Sequence, residues 1–150
     1  FLPDRFEPGT PNIPGILGLH AALCDLEQTD MDKLHQHELE LTQYFINGLM
    51  QMDPSESTLR AIGKHNTIER TSVVSVQTLQ TDMARVAYEM DDTYGIMTRV
   101  GLHGAPSAHK TLGTYPEGTI RFSFGPENTH HEVDLALHAL AEITGSPYHL

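Results

Sequence analysis

The stretch Ser72-Val73-Val74-Ser75-Val76-Gln77-Thr78-Leu79 is the point at which the chain changes from helical to extended spacing. Its β-branched side chains are typical of a strand. Upstream, apolar residues recur at helical intervals and predict two helices, over about 15–28 and about 30–53. Between these helices and the quoted stretch, residues 58–62 are predicted to form another strand.

Downstream of the quoted stretch, helical and extended patterns alternate once more. A helix is predicted from about residue 82 up to Gly95, followed by strands over 96–100 and 119–123. A last helix begins at the capping-box sequence Thr129-His130-His131-Glu132. This order predicts an α+β domain with a small, largely antiparallel sheet and helices packed on one side.

The composition excludes several classes of protein. The chain has 150 residues, with 20 Asp and Glu against 9 Lys and Arg, so its formal net charge is −11. This length fits a single domain with a substantial core. The acidic balance argues against a nucleic-acid binder and against docking to an anionic membrane surface. No apolar run approaches the roughly 20 residues that cross a bilayer.

Three further features of the sequence are informative: its one cysteine, its ten histidines and its first residue. Cys24, the one cysteine, cannot form an internal disulfide, which favours a reducing, cytoplasmic location, and its helical setting predicts a small core side chain. The ten histidines match no zinc spacing, so no metal site is predicted and most are expected at the surface. The sequence begins at Phe1 without a signal-peptide pattern, and we expect a piece of a longer protein.

Three regions carry candidate functional residues. Gly9-Thr10 lies in a proline-rich loop, where it either offers N–H groups and a hydroxyl to a phosphate or forms an ordinary turn. Arg99 lies in a strand that runs into a glycine-rich loop ending at Pro106, a pattern found in active-site loops and plain turns alike. Arg121 interrupts an apolar strand, so it either faces solvent or binds a carboxylate. Spacing alone favours an exposed arginine on an edge strand.

Five segments, taken in order, carry a family resemblance. They are Arg5-Phe6-Glu7-Pro8-Gly9-Thr10-Pro11-Asn12, Gly95-Ile96-Met97-Thr98-Arg99-Val100-Gly101-Leu102-His103-Gly104-Ala105-Pro106, Gly113-Thr114, Gly118-Thr119-Ile120-Arg121-Phe122-Ser123 and Asn128-Thr129-His130-His131-Glu132-Val133-Asp134. Together they resemble the C-terminal portion of a class V, fold-type I pyridoxal-phosphate enzyme of the cysteine desulfurase and selenocysteine lyase group. The resemblance implies that residues 1–28 end the large cofactor-binding domain and that 29–150 form the small C-terminal α+β domain.

The resemblance also implies roles for individual residues. Arg121 corresponds to the arginine that binds the α-carboxylate of the substrate amino acid. Arg99 and His103 flank the loop that carries the sulfur-accepting cysteine in this family, and they are counted with the substrate-binding residues. Gly9 and Thr10 correspond to residues that reach the phosphate of pyridoxal 5'-phosphate in the partner subunit of a homodimer.

Two departures from the family pattern limit these implications. Gly104 stands at the position of the family's nucleophilic cysteine, so no thiolate is available there to take up sulfur. The lysine that holds the cofactor is expected upstream of this sequence, and Lys110, which follows the glycine-rich loop, is not expected to replace it. The chain alone is therefore expected to be inactive.

Two functions from different classes remain open at this point. The resemblance implies a C-terminal fragment of a pyridoxal-phosphate-dependent, cysteine desulfurase-like enzyme of the class V aminotransferase family. Such an enzyme acts on a small amino acid, such as cysteine or selenocysteine, and has a sulfur-acceptor protein as an expected partner. The alternative is a non-catalytic dimerisation or interaction module that keeps the fold without the chemistry.

Overall fold

The computed structural model describes residues 1–6 and 9–148, and its elements follow the predicted order with two additions, a 3₁₀ helix over Asp4–Phe6 and a short helix over Pro106–Leu112. The helices are α1 (Ile13–Gln28), α2 (Met31–Met52), α3 (Met83–Tyr94), α4 (Pro106–Leu112) and α5 (His130–Thr144), and the strands are β1 (Leu59–Ile62), β2 (Val73–Thr78), β3 (Arg99–Gly101) and β4 (Thr119–Ser123). The chain divides into two compact units, Phe1–Leu34 and His35–Leu150.

The sheet belongs to the second unit and has four strands in the order β1-β2-β4-β3. All three neighbouring pairs run antiparallel. The predicted α+β class with a small antiparallel sheet is therefore confirmed. The order places β2 and β4 in the middle of the sheet, while β1 and β3 form its two edges.

Helices cover one face of the sheet, as predicted. Alternate residues of the two inner strands point to that face and are 0–4% exposed: Val74, Val76, Ile120 and Phe122. They share one apolar core with side chains of α2, α3 and α5. The ring of Phe45 on α2 lies 4.8 Å from the ring of Phe122, between centroids. Because strand residues alternate between faces, the intervening residues of β2 and β4 face away from the helices.

Two local predictions differ from the structure. The strand predicted over 96–100 starts only at Arg99, because the N–H of Ile96 is bonded to the carbonyl of Met90 at the end of α3. Gly95 ends that helix in the left-handed conformation (φ 68°), as predicted. The second difference is α4, seven residues long, in a segment that was predicted as loop.

The first unit carries a helix whose apolar side chains are exposed. The large side chains of α1 are 46–62% exposed: Ile13, Ile16, Leu17, Leu19, Leu23 and Leu26. Cys24 is only partly buried, and α1 contributes no buried residue to the described part of the chain, so the prediction of a core cysteine is wrong for this chain. The proposed boundary between residues 28 and 29 stays a prediction.

None of the described helices has the length and apolar character needed to span a membrane.

Candidate functional site

Arg121 lies on an inner strand of the sheet, on the face turned away from the helices. Its neighbours in sequence, Ile120 and Phe122, point into the core, so the Arg121 side chain points the other way and is partly buried. In the register of the sheet it stands between Ser75 of β2 and Arg99 of β3. The expectation of an exposed arginine on an edge strand, drawn from spacing alone, is therefore wrong.

Two arginines stand directly opposite each other at this point. Arg99 and Arg121 are register partners on antiparallel strands, and like charges in that arrangement repel. Within the described residues neither guanidinium has a carboxylate within ion-pair distance. The Nε atom of Arg121 is also buried without a hydrogen-bond partner among them. A buried donor without a partner is costly, so this pair is suited to an anion that neutralises both charges.

The loop between β3 and α4 runs beside these arginines in a rarely used backbone conformation. Gly101, His103 and Gly104 have φ values of 111°, 50° and 72°. Gly118 approaches the loop so closely that a Cβ atom there would overlap the backbone of Gly101. This contact fixes the start of the loop against the start of β4.

His103 is attached to β4 through its side chain. Its Nε2 atom lies 3.1 Å from both the carbonyl oxygen and the hydroxyl oxygen of Thr119. Burial lowers the pKa of His103, and the positive charges of Arg121 and Arg99 lower it further, against the opposing effect of the hydrogen bond to Thr119. The imidazole is therefore biased towards its neutral form at neutral pH.

Gly104 leaves open space at the position where the resemblance places a cysteine. No heavy atom lies within 4 Å of a Cβ atom built there, apart from its chain neighbours. The one thiol of the sequence is Cys24 on α1. The space at Gly104 admits a side chain sterically, while its φ of 72° disfavours one conformationally.

The other candidates of the sequence analysis lie in the first unit. Gly9 and Thr10 are exposed and precede α1, and Asn12 caps that helix by accepting a hydrogen bond from the N–H of Gly15 at 3.2 Å. Glu7 and Pro8 of the same motif lie outside the described residues. Gly9 and Thr10 thus belong to one unit, and Arg99, His103 and Arg121 to the other.

Sequence reasoning missed the residues that support the loop. His109 on α4 is 6% exposed, whereas most of the described histidines are exposed as expected. Its Nδ1 lies 2.6 Å from the hydroxyl of Thr114. Thr114 and Thr119 are 0% and 1% exposed. Pro106 could have indicated the start of a helix, since proline is favoured in a first helical turn. The seven residues of α4 are too few to show a clear helical spacing of apolar side chains. Lys110 on the same helix is exposed, with its ammonium 5.1 Å from the ring centre of Tyr115.

A separate cavity lies on the other side of the sheet. It has a volume of about 440 Å³ and is bordered by Tyr94, Phe122, Phe124 and Val133. Arg99, His103 and Arg121 are not among the described residues that line it. Within the described residues, no three His, Cys, Asp or Glu side chains are grouped as metal ligands.

Comparison with known proteins identifies the family. Residues 2–136 match the family model described as aminotransferase class-V. A probable cysteine desulfurase of Pyrococcus abyssi is 34% identical over 144 residues, which cover 96% of this chain and 34% of that protein. A probable cysteine desulfurase of Borreliella burgdorferi is 31% identical over 132 residues, which cover 88% of this chain and 30% of that protein.

A solved structure gives the same result for the fold. The apo structure of cysteine desulfurase from Thermococcus onnurineus NA1 superposes with a TM-score of 0.82 at 32% identity, covering 95% of this chain and 34% of that one. The chain thus spans about a third of the length of the relatives that it matches. The resemblance inferred from the sequence is confirmed. The chain belongs to the class V aminotransferase family and has a cysteine desulfurase-like fold.

Proposed function

We propose that this chain is the C-terminal part of a pyridoxal-phosphate-dependent enzyme that acts on a small amino acid such as cysteine or selenocysteine. The observation that carries the proposal is the pair Arg99 and Arg121, opposed across two strands, with the Nε atom of Arg121 buried and unpartnered among the described residues. The α-carboxylate of an amino acid matches the planar fork of a guanidinium and offers the missing negative charge.

Arg121, Arg99 and His103 each have a role in this proposal. Arg121 binds the substrate carboxylate with two parallel N–H···O bonds, because a half-buried guanidinium on a rigid inner strand is already oriented. Arg99, on the exposed edge strand, adds positive charge at the entrance. His103 borders the substrate in its neutral form, so it adds no third positive charge to the pair.

Gly9 and Thr10 are proposed to hold the phosphate of pyridoxal 5'-phosphate bound in the partner subunit of a homodimer. The residues fit such a group: no heavy atom lies within 4 Å of a Cβ built at Gly9, so its backbone is open to close approach, and Thr10 is exposed. When bound, the cofactor supplies an electron-withdrawing ring that stabilises negative charge on the amino acid's α-carbon. This chain contributes anchoring and substrate orientation to that chemistry.

The exposed apolar side chains of α1 support the proposed domain division. Six large apolar residues on one helix are too many for a solvent-facing surface. The curated relatives are about three times as long as this chain. We propose that residues 1–28, which include α1, end the large cofactor-binding domain, whose remainder covers α1, and that residues 29–150 form the small domain.

Gly104 limits where the sulfur or selenium removed from the substrate can go. Without a thiol in the loop, sulfur or selenium cannot be passed to residue 104 as a persulfide or its selenium analogue. We therefore favour a lyase-type reaction, with release to a sulfur-acceptor protein or to solution, in a cytoplasmic enzyme. The same glycine favours the second candidate, a non-catalytic dimerisation or interaction module.

The test is kinetic and uses the full-length protein. Arg121→Ala should lower kcat/KM for the amino acid roughly 30- to 900-fold, because charged hydrogen bonds to the carboxylate are lost. This fold-change corresponds to a loss of about 2–4 kcal/mol of transition-state stabilisation. Arg121→Lys should keep part of the activity. The control is Arg85→Ala, since Arg85 lies exposed on α3 and pairs with Glu89.

The outcomes separate the two candidates. An unchanged kcat/KM in Arg121→Ala contradicts the carboxylate assignment. A wild-type protein that shows neither turnover nor the visible absorption of bound pyridoxal phosphate supports the non-catalytic module instead.

A further inference from the structure

The loop that carries His103 is held in a conformation that its own residues do not favour. His103 has a φ of 50°, between Gly101 at 111° and Gly104 at 72°. A left-handed conformation is unfavourable for a residue that carries a Cβ atom. Such a conformation persists where the surrounding contacts determine it, and this often occurs at functional sites. The contacts around His103 therefore indicate what the loop is built to hold.

The contact with Thr119 determines which ring nitrogen of His103 carries hydrogen. Nε2 lies 3.1 Å from the carbonyl oxygen of Thr119, and a carbonyl oxygen only accepts hydrogen bonds. The hydroxyl of Thr119, also 3.1 Å away, could donate to an unprotonated Nε2, but the lone pair on Nε2 would then face the lone pairs of the carbonyl oxygen. The carbonyl contact therefore favours hydrogen on Nε2. In the neutral imidazole, Nδ1 is then left as the nitrogen that can take up a proton.

His109 fixes the ring of His103 from the side of α4. The two ring centroids are 5.8 Å apart, at an angle of 45° between the ring planes. His109 is itself locked, because it is 6% exposed and its Nδ1 lies 2.6 Å from the hydroxyl of the fully buried Thr114. The N–H of Thr114 also donates to the carbonyl of His109, at 2.9 Å. His103 is thus held between a rigid helix and an inner strand.

The charges that face His103 come from three elements. Arg99 lies on β3, Arg121 on β4 and His109 on α4, and all three disfavour the protonated form of His103. Among the described residues no carboxylate lies within ion-pair distance of His103 to oppose them. Burial of the ring acts in the same direction.

We propose that His109, together with Thr114, is a positioning residue that holds His103 in the Nε2–H tautomer, so that Nδ1 of His103 exchanges a proton next to the substrate-binding arginines. The part of this proposal that concerns a substrate rests on the proposed function. The part that concerns the tautomer and its support does not, because both are properties of the protein without substrate.

The test observes the imidazole directly by NMR in full-length protein labelled with ¹⁵N-histidine, with the His103 signals assigned through His103→Gln. The wild type should show protonated Nε2 and unprotonated Nδ1 at neutral pH. His109→Asn keeps a hydrogen-bonding group for Thr114 but removes the ring against His103. In this variant the pKa of His103 should rise towards its ordinary value of 6.5, and the other tautomer should become populated.

A matched pair at Thr114 separates positioning from folding. Thr114→Val removes the hydroxyl at similar volume and should shift the His103 signals in the same direction as His109→Asn. Thr114→Ser keeps the hydroxyl and should leave the His103 signals as in the wild type. His138→Asn, an exposed histidine on α5, is the control that should change nothing at His103.

The kinetic readout is the pH profile of kcat/KM. Its acidic limb should move to higher pH in His109→Asn and Thr114→Val, following the pKa of His103, and should stay in place in Thr114→Ser. If the full-length protein has no activity, the proposed function fails, but the NMR measurement still tests the tautomer of His103 and its support by His109. The proposal is overturned if the wild type carries hydrogen on Nδ1, or if Thr114→Val leaves the tautomer and pKa of His103 unchanged. The Thr114 pair also decides the matter if His109→Asn does not fold.

Discussion

At the scale of single residues, Gly104 is the position on which the proposed lyase-type reaction depends, because it carries no thiol. Its φ of 72° suits glycine, and open space surrounds the position of a Cβ atom. A side chain at this position would therefore meet a conformational cost and no steric one. By the resemblance, this is also the position at which the family carries its nucleophilic cysteine.

We predict that Gly104→Cys in the full-length protein lowers the free energy of unfolding by about 1–2 kcal/mol, the cost of a left-handed non-glycine residue. Because the site has room for the thiol, the variant should gain persulfide-forming desulfurase activity. Denaturant unfolding measures the first effect, and sulfide released from the persulfide by an added thiol reductant measures the second. Gly104→Ala is the control, with the same loss of stability and no gain of activity. Equal sulfide release by both variants would point to a reaction that does not use residue 104.

At the scale of elements, the carboxylate of Asp53 joins the end of α2 to the start of β1. It accepts hydrogen bonds from the N–H of Thr58 at 2.6 Å and of Leu59 at 3.0 Å, and from the hydroxyl of Ser55 at 2.8 Å. Burial by itself raises the pKa of Asp53, but these hydrogen bonds outweigh burial and hold the pKa well below its ordinary value of 3.8. The ionised carboxylate is thus part of the folded state.

The sign of the pH dependence follows from that depressed pKa. The stabilisation is fully present above the unfolded-state value of about 3.9 and is lost as pH falls through the folded-state value below it. Asp53→Asn should therefore lower the free energy of unfolding at pH 7 by about 1.5–3 kcal/mol, because the hydrogen bonds to a charged carboxylate are replaced by weaker ones to a neutral amide. The difference from wild type should shrink as pH falls below about 4.

Urea unfolding at a series of pH values measures this prediction. Asp92→Asn, on the exposed side of α3, is the matched control and should have little effect at any pH. A loss of stability in Asp53→Asn that is the same at pH 3 and pH 7 would show that the charge of the carboxylate does not matter.

At the scale of the whole molecule, the distribution of charge and of exposed apolar surface is uneven. The chain carries a net charge of −11, yet Arg60, Arg99 and Arg121 all lie on the sheet face turned away from the helices. Cationic residues grouped on one face of an acidic protein attract a small anionic ligand to that face. In the first unit, the exposed apolar surface is concentrated on α1.

We predict that replacing both Leu19 and Leu23 by Gln changes the thermal midpoint of the 150-residue chain little, because these side chains are 62% and 51% exposed. The same double variant of the full-length protein should lose several degrees, because α1 is proposed to be covered there. Thermal denaturation of both lengths is the measurement. Tyr88→Gln, 66% exposed on α3, is the control at each length. Equal effects of the double variant at both lengths would contradict the proposed packing of α1.

Features that depend on a few neighbouring residues were predictable from the sequence. The capping box of α5 is confirmed, with Thr129 accepting from the N–H of Glu132 and Glu132 accepting from the N–H of Thr129. At the predicted start of α3, the side chain of Asp82 accepts a hydrogen bond from the N–H of Arg85 at 2.8 Å. Both rest on hydrogen bonds that span three residues, which a sequence pattern contains completely.

Features that depend on distant parts of the chain were not predictable from spacing. Helix α4 is too short for its periodicity to be recognised, and its stability depends on the burial of His109. The pairing of Arg99 with Arg121 follows from the strand order, which brings together residues 22 positions apart. The strand pattern left two readings open for Arg121, and only the family resemblance favoured a carboxylate ligand over an exposed arginine. That role stays a prediction.

The sequence by itself determined the α+β class, the helix caps and the family, because patterning, capping and ordered motifs are local properties of the chain. The tertiary structure decided that β4 is an inner strand and that Arg99 and Arg121 stand opposite each other on neighbouring strands. It also decided that the ring of the buried His109 lies beside that of His103. These properties arise from contacts between residues far apart in the chain. Such contacts depend on which strands pair and on which faces are buried, and local spacing does not specify either.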